Sequence, residues 1–207
     1  MSNSNNLFVT INNGGPVVYI LAFCSIISIS IIIERLIYYS RLSKIKRQHF
    51  MVEIRKDIDK GETKKAISLC DRVNAPFAKV VKAGLSLHGR NERLISQSME
   101  REIVVETVKL ERFISVSATI GSTAIYIGLL GTVLGIMRAF HDISLNGVGG
   151  INVIIGGISQ SLVATAAGLI VALPALISYN YFVRRIDHFV VDMELCSSEL
   201  VDMLPSK

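Results

Sequence analysis

Four polar side chains stand in stretches of this chain that carry no charge: Thr132 within Phe113–Met137, and Gln160, Ser161 and Thr165 within Ile143–Val183. Hydroxyls and amides can donate and accept hydrogen bonds along an ion path, but they do not titrate in the useful range. Their chemistry is that of a lining, not of a proton carrier. A proton path along them needs a carboxylate from another chain, because neither stretch holds an acidic or basic residue. Each residue also has a plain role. Ser and Thr in membrane helices often bond their own backbone, and Gln often ties helices together. For any one residue alone, the plain role outweighs the functional one by roughly three to one. Function gains weight because two segments each carry a stripe of small residues with a Thr near the middle.

The first stripe is Gly121, Gly128 and Gly135, spaced by sevens, with Gly131 beside them. Gly131 and Gly135 make a small-xxx-small pair, which lets helix backbones approach closely. Thr132 sits about one-ninth of a turn from Gly128. In the second segment, Gln160, Ala164, Gly168, Ser161, Ala172 and Thr165 fall within about 140° of a helical wheel. Leu162, Val163, Ala166, Leu169, Ile170 and Leu173 occupy the other side. One face suits close packing or a wet path, and the bulky face suits lipid or a neighbouring helix. Pro174 removes one helical hydrogen bond, which marks a hinge or a simple bend.

The elements that carry these residues are membrane spans. About 20 apolar residues of helix cross a hydrocarbon core. The two charge-free stretches exceed that, and a third runs from the N-terminus to Ile33, with its apolar part at Pro16–Ile33. The reading is an all-α integral membrane protein with three transmembrane helices, the second and third extended into a cytoplasmic helical region. Its expected parts are a periplasmic N-terminus (1–15), first span (16–39), cytoplasmic helical domain (40–112), second span (113–139), periplasmic loop (140–152), third span (153–183) and cytoplasmic C-terminal helix (184–207). Orientation follows from basic residues: 1–15 holds none, 41–112 holds seventeen, and Arg184-Arg185 follows the third span. The first span lacks a basic leader and runs into Glu34-Arg35, unlike a cleaved signal.

The basic residues of 41–112 are interleaved with ten Asp and Glu, which argues against nucleic-acid binding. Arg41, Lys44, Lys46 and Arg47 suit anchoring at a lipid surface. Glu62–Val73 reads as a helix, broken by Asn74-Ala75 before Pro76 opens the next one, and the pair ends at His88-Gly89-Arg90. From Asn91 to Arg112 there is no Gly or Pro, so one helix is expected to run on into the second span. It shows two apolar stripes, Ile95/Met99/Ile103/Leu110 and Leu94/Val104/Val105/Val108, as expected of a helix packed between neighbours. Cys24, Cys70 and Cys196 have no metal-ligand spacing, and no disulfide is expected. No nucleophile–base pair, phosphate loop or metal cluster can be assembled. Neither enzyme chemistry nor a cofactor is expected.

Two segments carry a family resemblance. Tyr126–Met137 (YIGLLGTVLGIM) resembles the GLLGTVxGIM signature of the ExbB/TolQ branch of the MotA/TolQ/ExbB family. Gly157–Leu169 (GISQSLVATAAGL) resembles its GIxEALxATAxGL signature, and Ala172-Leu173-Pro174-Ala175 with Tyr179-Asn180 matches the family's next stretch. The match is dense over roughly residues 110–187 and looser over the preceding hairpin. The resemblance implies a subunit of a proton-driven motor in the bacterial inner membrane. It implies a homopentamer around an ExbD/TolR-type single-span protein whose membrane Asp carries the proton. Work then passes to a TonB- or TolA-type protein, for TonB-dependent outer-membrane transport or the Tol-Pal system. By the same resemblance, Thr132 and Thr165 correspond to the threonines lining the pore beside that Asp.

One position departs from the pattern: the family often has Glu where this chain has Gln160. Gln keeps hydrogen bonding but loses charge and proton exchange. Either that Glu is dispensable here, the conduction differs, or the partner compensates; the retained threonines favour the first. Gln160→Glu is expected to leave assembly intact and to change flux only modestly. Loss of the complex on that change would reject a wet, tolerant setting for Gln160. The rivals are a TolQ-like or motility-motor subunit with the same chemistry, and a passive membrane scaffold in which small residues serve packing alone. Flagellar stator subunits of the family have four spans, whereas this chain offers three.

Overall fold

A computed structural model describes residues 15–42, 45–146 and 151–204, without the side chains of 145–146, 151–154 and 160. Among the described residues the elements are all helices: α1 (Gly15–Arg41), α2 (Arg47–Asp59), α3 (Thr63–Arg72), α4 (Pro76–Leu85), α5 (Glu92–Glu111), α6 (Ile114–Asn146) and α7 (Ile151–Met203). Helices α1, α6 and α7 are long and apolar enough to cross a membrane. The fold class is therefore all-α with three membrane helices. Most of the N-terminal segment 1–15, the centre of the 140–152 loop and the side chain of Gln160 lie outside the described residues.

The chain forms two compact units. The first comprises residues up to Ile33 together with Phe113–Asn180. Its core joins Val17, Val18 and Leu21 of α1 to Ile120 and Ala124 of α6 and to Ala164, Val171, Ala172 and Ala175 of α7. The larger apolar side chains point the other way. Tyr126, Ile170 and Ile177 are 70%, 71% and 67% exposed. Small residues inside and large apolar ones outside suit a unit whose solvent is lipid. Pro174 lies within α7 without ending it and is exposed.

The second unit comprises Glu34–Arg112 and Tyr181–Lys207. Phe50, Ile54, Ala66, Phe77, Val80, Val81, Met99 and Leu200 are buried in it. A methyl on Gly84, at its centre, would lie 2.6 Å from Met99 Sδ and 2.7 Å from a Leu200 methyl, so both side chains would have to shift. The Asn91 side chain caps α5 by accepting from the Arg93 N–H at 2.9 Å. Arg47 pairs with Asp192 and Glu199, tying the start of α2 to the tail of α7.

The unbroken run from α5 into the second span does not form. Helix α5 ends at Glu111, and Phe113 takes φ +63° before α6 begins. The α5 terminus is held by side chains from α1. Arg35, 2% exposed, donates from Nη1 to the carbonyl oxygens of Lys109 (3.2 Å) and Leu110 (3.3 Å). Tyr39 donates to Leu110 O at 2.8 Å. These carbonyls belong to the last helical turn, which has no partners within its own helix. Their capture by α1 offsets the left-handed backbone at Phe113, a strain of about 1–3 kcal/mol.

Glu106 is a second buried charge among the described residues of this unit, held by Lys109 Nζ at 2.6 Å and Lys79 Nζ at 2.9 Å. Only the carboxylate is buried; both ammonium groups are half-exposed. The consequence is asymmetric. Glu106→Leu releases two lysines to water and is expected to lower stability little, by about 1 kcal/mol or less. The pair Lys79→Met with Lys109→Met strands a buried carboxylate and is expected to cost about 3–5 kcal/mol. Thermal unfolding in detergent checks this: the double lysine variant must fall further than Glu106→Leu, and the reverse order rejects it.

Candidate ion-path site

Helices α6 and α7 meet along their small residues, and the contacts fix a register. A methyl on Gly121 would lie 3.1 Å from Leu176 N, and one on Gly128 would lie 2.9 Å from Ala164 O and 3.2 Å from Gly168 Cα. A methyl on Gly131 would lie 2.5 Å from the Ala164 methyl, one on Gly135 2.6 Å from Ser161 Cβ, and one on Gly157 2.5 Å from the Ala139 methyl. The partner number falls as the other rises, so the two helices run antiparallel. Pairs 121–176, 128–168, 135–161 and 139–157 keep one register. That register sets Thr132 level with Ala164 and Thr165 level with Gly131. The two threonines therefore lie at one depth, within about 1.5 Å along the axis.

Their hydroxyl protons are already placed. Thr165 donates across the seam to Gly128 O at 3.2 Å. Thr132 donates to Leu129 O in its own helix at 2.6 Å, and Ser161 to Ile158 O at 2.7 Å. A hydroxyl whose proton is committed keeps its lone pairs free to accept. At that depth, Thr132 and Thr165 can thus receive a proton-bearing group or ligate a cation, and neither can release a proton itself. Ser161 is 3% exposed and sits against Gly135 inside the seam, whereas both threonines are only partly buried. Among the described residues of Ile114–Met137 and Ile155–Val183, no side chain is ionisable at neutral pH.

Outside the spans, Cys70 and Cys196 are buried and their thiols are pushed up to about 12, chiefly by desolvation. For Cys196, burial outweighs the opposing pull of Arg47. Both groups stay protonated at neutral pH. Maleimide at pH 8 is expected to leave them unlabelled in the folded protein and to label them after denaturation; rapid labelling when folded would contradict their burial.

Several structural residues escaped the sequence reading. Ala139 and Gly157 extend the seam beyond the last glycine of the first stripe. The signal was present, since Gly157, Ser161, Ala164, Gly168, Ala172 and Ala175 follow three- and four-residue steps. Arg35 offered no such signal: a charge beside a span reads as an interface anchor, yet it is buried.

Comparison with known proteins agrees with this architecture. The profile of the MotA/TolQ/ExbB proton channel family matches residues 72–195. An ExbB-like protein of Synechocystis (putative biopolymer transport protein ExbB-like 3) is 30% identical over 171 residues, covering 82% of this chain and 81% of the relative. A putative ExbB homologue of Methanothermobacter thermautotrophicus is 27% identical over 194 residues, covering 92% of this chain and 69% of the relative. The Tol-Pal system protein TolQ of Pseudomonas aeruginosa is 41% identical over 91 residues, 44% of this chain and 39% of the relative. A family match over more than half of the chain, around a glycine-lined seam between two membrane helices, leads to one conclusion: the chain belongs to the MotA/TolQ/ExbB proton channel family.

Proposed function

We propose that this chain is an ExbB-like subunit of an inner-membrane motor driven by proton motive force, with Thr132 and Thr165 in the ion path. The observation that carries the reading is the antiparallel seam that sets both threonines at one depth with acceptor lone pairs free. Among the described residues of Ile114–Met137 and Ile155–Val183 no side chain is ionisable at neutral pH, which favours a proton carrier from another chain. An ExbD/TolR-type single-span protein with a membrane Asp supplies it, inside a homopentamer of this chain. Gln160 and Ser161 extend the small polar face along α7. The N-terminus faces the periplasm and the C-terminus the cytoplasm, following the basic residues of 41–112 and Arg184-Arg185. The relatives' names favour biopolymer transport, and the TolQ relative keeps a Tol-Pal role as the second reading.

Reconstitution tests the proposal. The complex purified from native membranes is placed in liposomes under a voltage, and internal pH is followed. Proton uptake is expected with the complex and not with this chain alone. Equal uptake by the chain alone would remove the need for a partner carboxylate. No uptake by an intact complex would favour the passive scaffold.

A further inference from the structure

Helix α5 presents an apolar stripe that its own chain leaves uncovered. Leu94, Val104, Val105 and Val108 are 51%, 62%, 44% and 63% exposed. Helix α5 is not among the helices long and apolar enough to cross a membrane. Charge divides its two flanks. On one side, Arg90 and Arg101 line a depression of about 310 Å³ with Leu87, Leu94, Gln97 and Ser98. On the other, Glu100, Glu194 and Asp202 line a groove of about 570 Å³ with Ile103, Val104 and Val201. None of these five charged side chains has an ion-pair partner among the described residues, although other charges of the same unit are paired. The α5 residues of the two depressions are centred roughly 125° apart in 100° steps.

We infer that the basic depression of one copy seats against the acidic groove of the next, forming a head-to-tail seam along α5 outside the membrane. This rests on the homo-oligomer proposed above and names the surface that joins its subunits. Apolar side chains line both depressions, and their charges are opposite, so one contact covers Leu94 and Val104 and pairs both sets of charges. A contact between unlike surfaces on different sides of one helix turns at each step and closes into a ring when the rotation permits. A two-fold contact centred on the basic depression would set arginine against arginine.

Charge reversal in the full chain, purified with its native partners, tests the seam. Native mass spectrometry reads the assembled fraction at rising salt. Arg101→Glu and Glu194→Arg are each expected to lower that fraction at least tenfold, and the double variant to restore it. Restoration also shows that the single variants did not simply misfold. Copies carrying Arg101→Cys and Glu194→Cys, differently tagged and co-expressed, give the polarity with a short bis-maleimide. Cross-links between unlike copies are expected. Cross-links between two Arg101→Cys copies would overturn the seam, as would an intact ring that neither reversal disturbs. An unaltered protein found only as a monomer would overturn both the seam and the assembly on which it rests.

Discussion

Gly168→Leu is expected to abolish recovery of folded protein from the membrane. The first carbon of any side chain at this position would lie 2.6 Å from Ala124 O and 3.1 Å from Gly128 Cα. Both neighbours are helix backbone, so no rotamer change relieves the overlap, and α6 and α7 must part. Parting them forfeits the dispersion contacts of the whole small-residue seam. Overpacking of a tight core alone costs about 1–3 kcal/mol, and a site with no flexible neighbour belongs at or above the upper end. The measurement is the folded fraction by size-exclusion chromatography after gentle solubilisation, together with its Tm. Gly168→Ala tests the same contact with one carbon and is expected to fall between the two. A Gly168→Leu protein that elutes and melts like the unaltered one would show that the seam has slack, and with it would go the register that levels the threonines.

The second large effect separates function from packing. Thr165→Val keeps shape and removes the hydroxyl. The lost bond to Gly128 O is a weak cross-helix interaction, worth about 0.6 kcal/mol in measured membrane proteins. The complex should therefore still assemble. Proton flux is expected to fall at least tenfold, equivalent to about 1.4 kcal/mol on the barrier, because an acceptor at the crossing depth is gone. Thr132→Val is expected to act in the same direction, and Thr165→Ser to retain most flux. If both valine variants conduct like the unaltered complex, the threonines serve packing alone and the scaffold reading returns.

The parts of this molecule that face lipid were readable because the membrane imposes one rule on them. Long charge-free runs must be helices there. The seam was readable in outline, since Gly121, Gly128 and Gly135 recur every seven residues, but its register was not. Register depends on which small residue opposes which, and the contacts of Gly121, Gly128, Gly135 and Gly157 across the seam fix that. The stop at Phe113 had no local signal, as a phenylalanine at positive φ is uncommon and no Gly or Pro stands nearby. It exists because Arg35 and Tyr39, more than seventy residues away in sequence, take up the α5 carbonyls. The two-sided character of α5 was legible in the two apolar stripes that 100° steps give. Its buried stripe now has a partner within the chain, and Leu94, Val104, Val105 and Val108 remain exposed.

We propose that this chain lines an ion path whose proton carrier belongs to another protein. The most direct measurement is to tag the chain in its native membrane, solubilise it gently and identify what co-purifies by mass spectrometry. A stoichiometric single-span protein with a carboxylate inside its span is expected. A stable oligomer of this chain alone, with no such protein at any detergent strength that preserves it, would contradict the account.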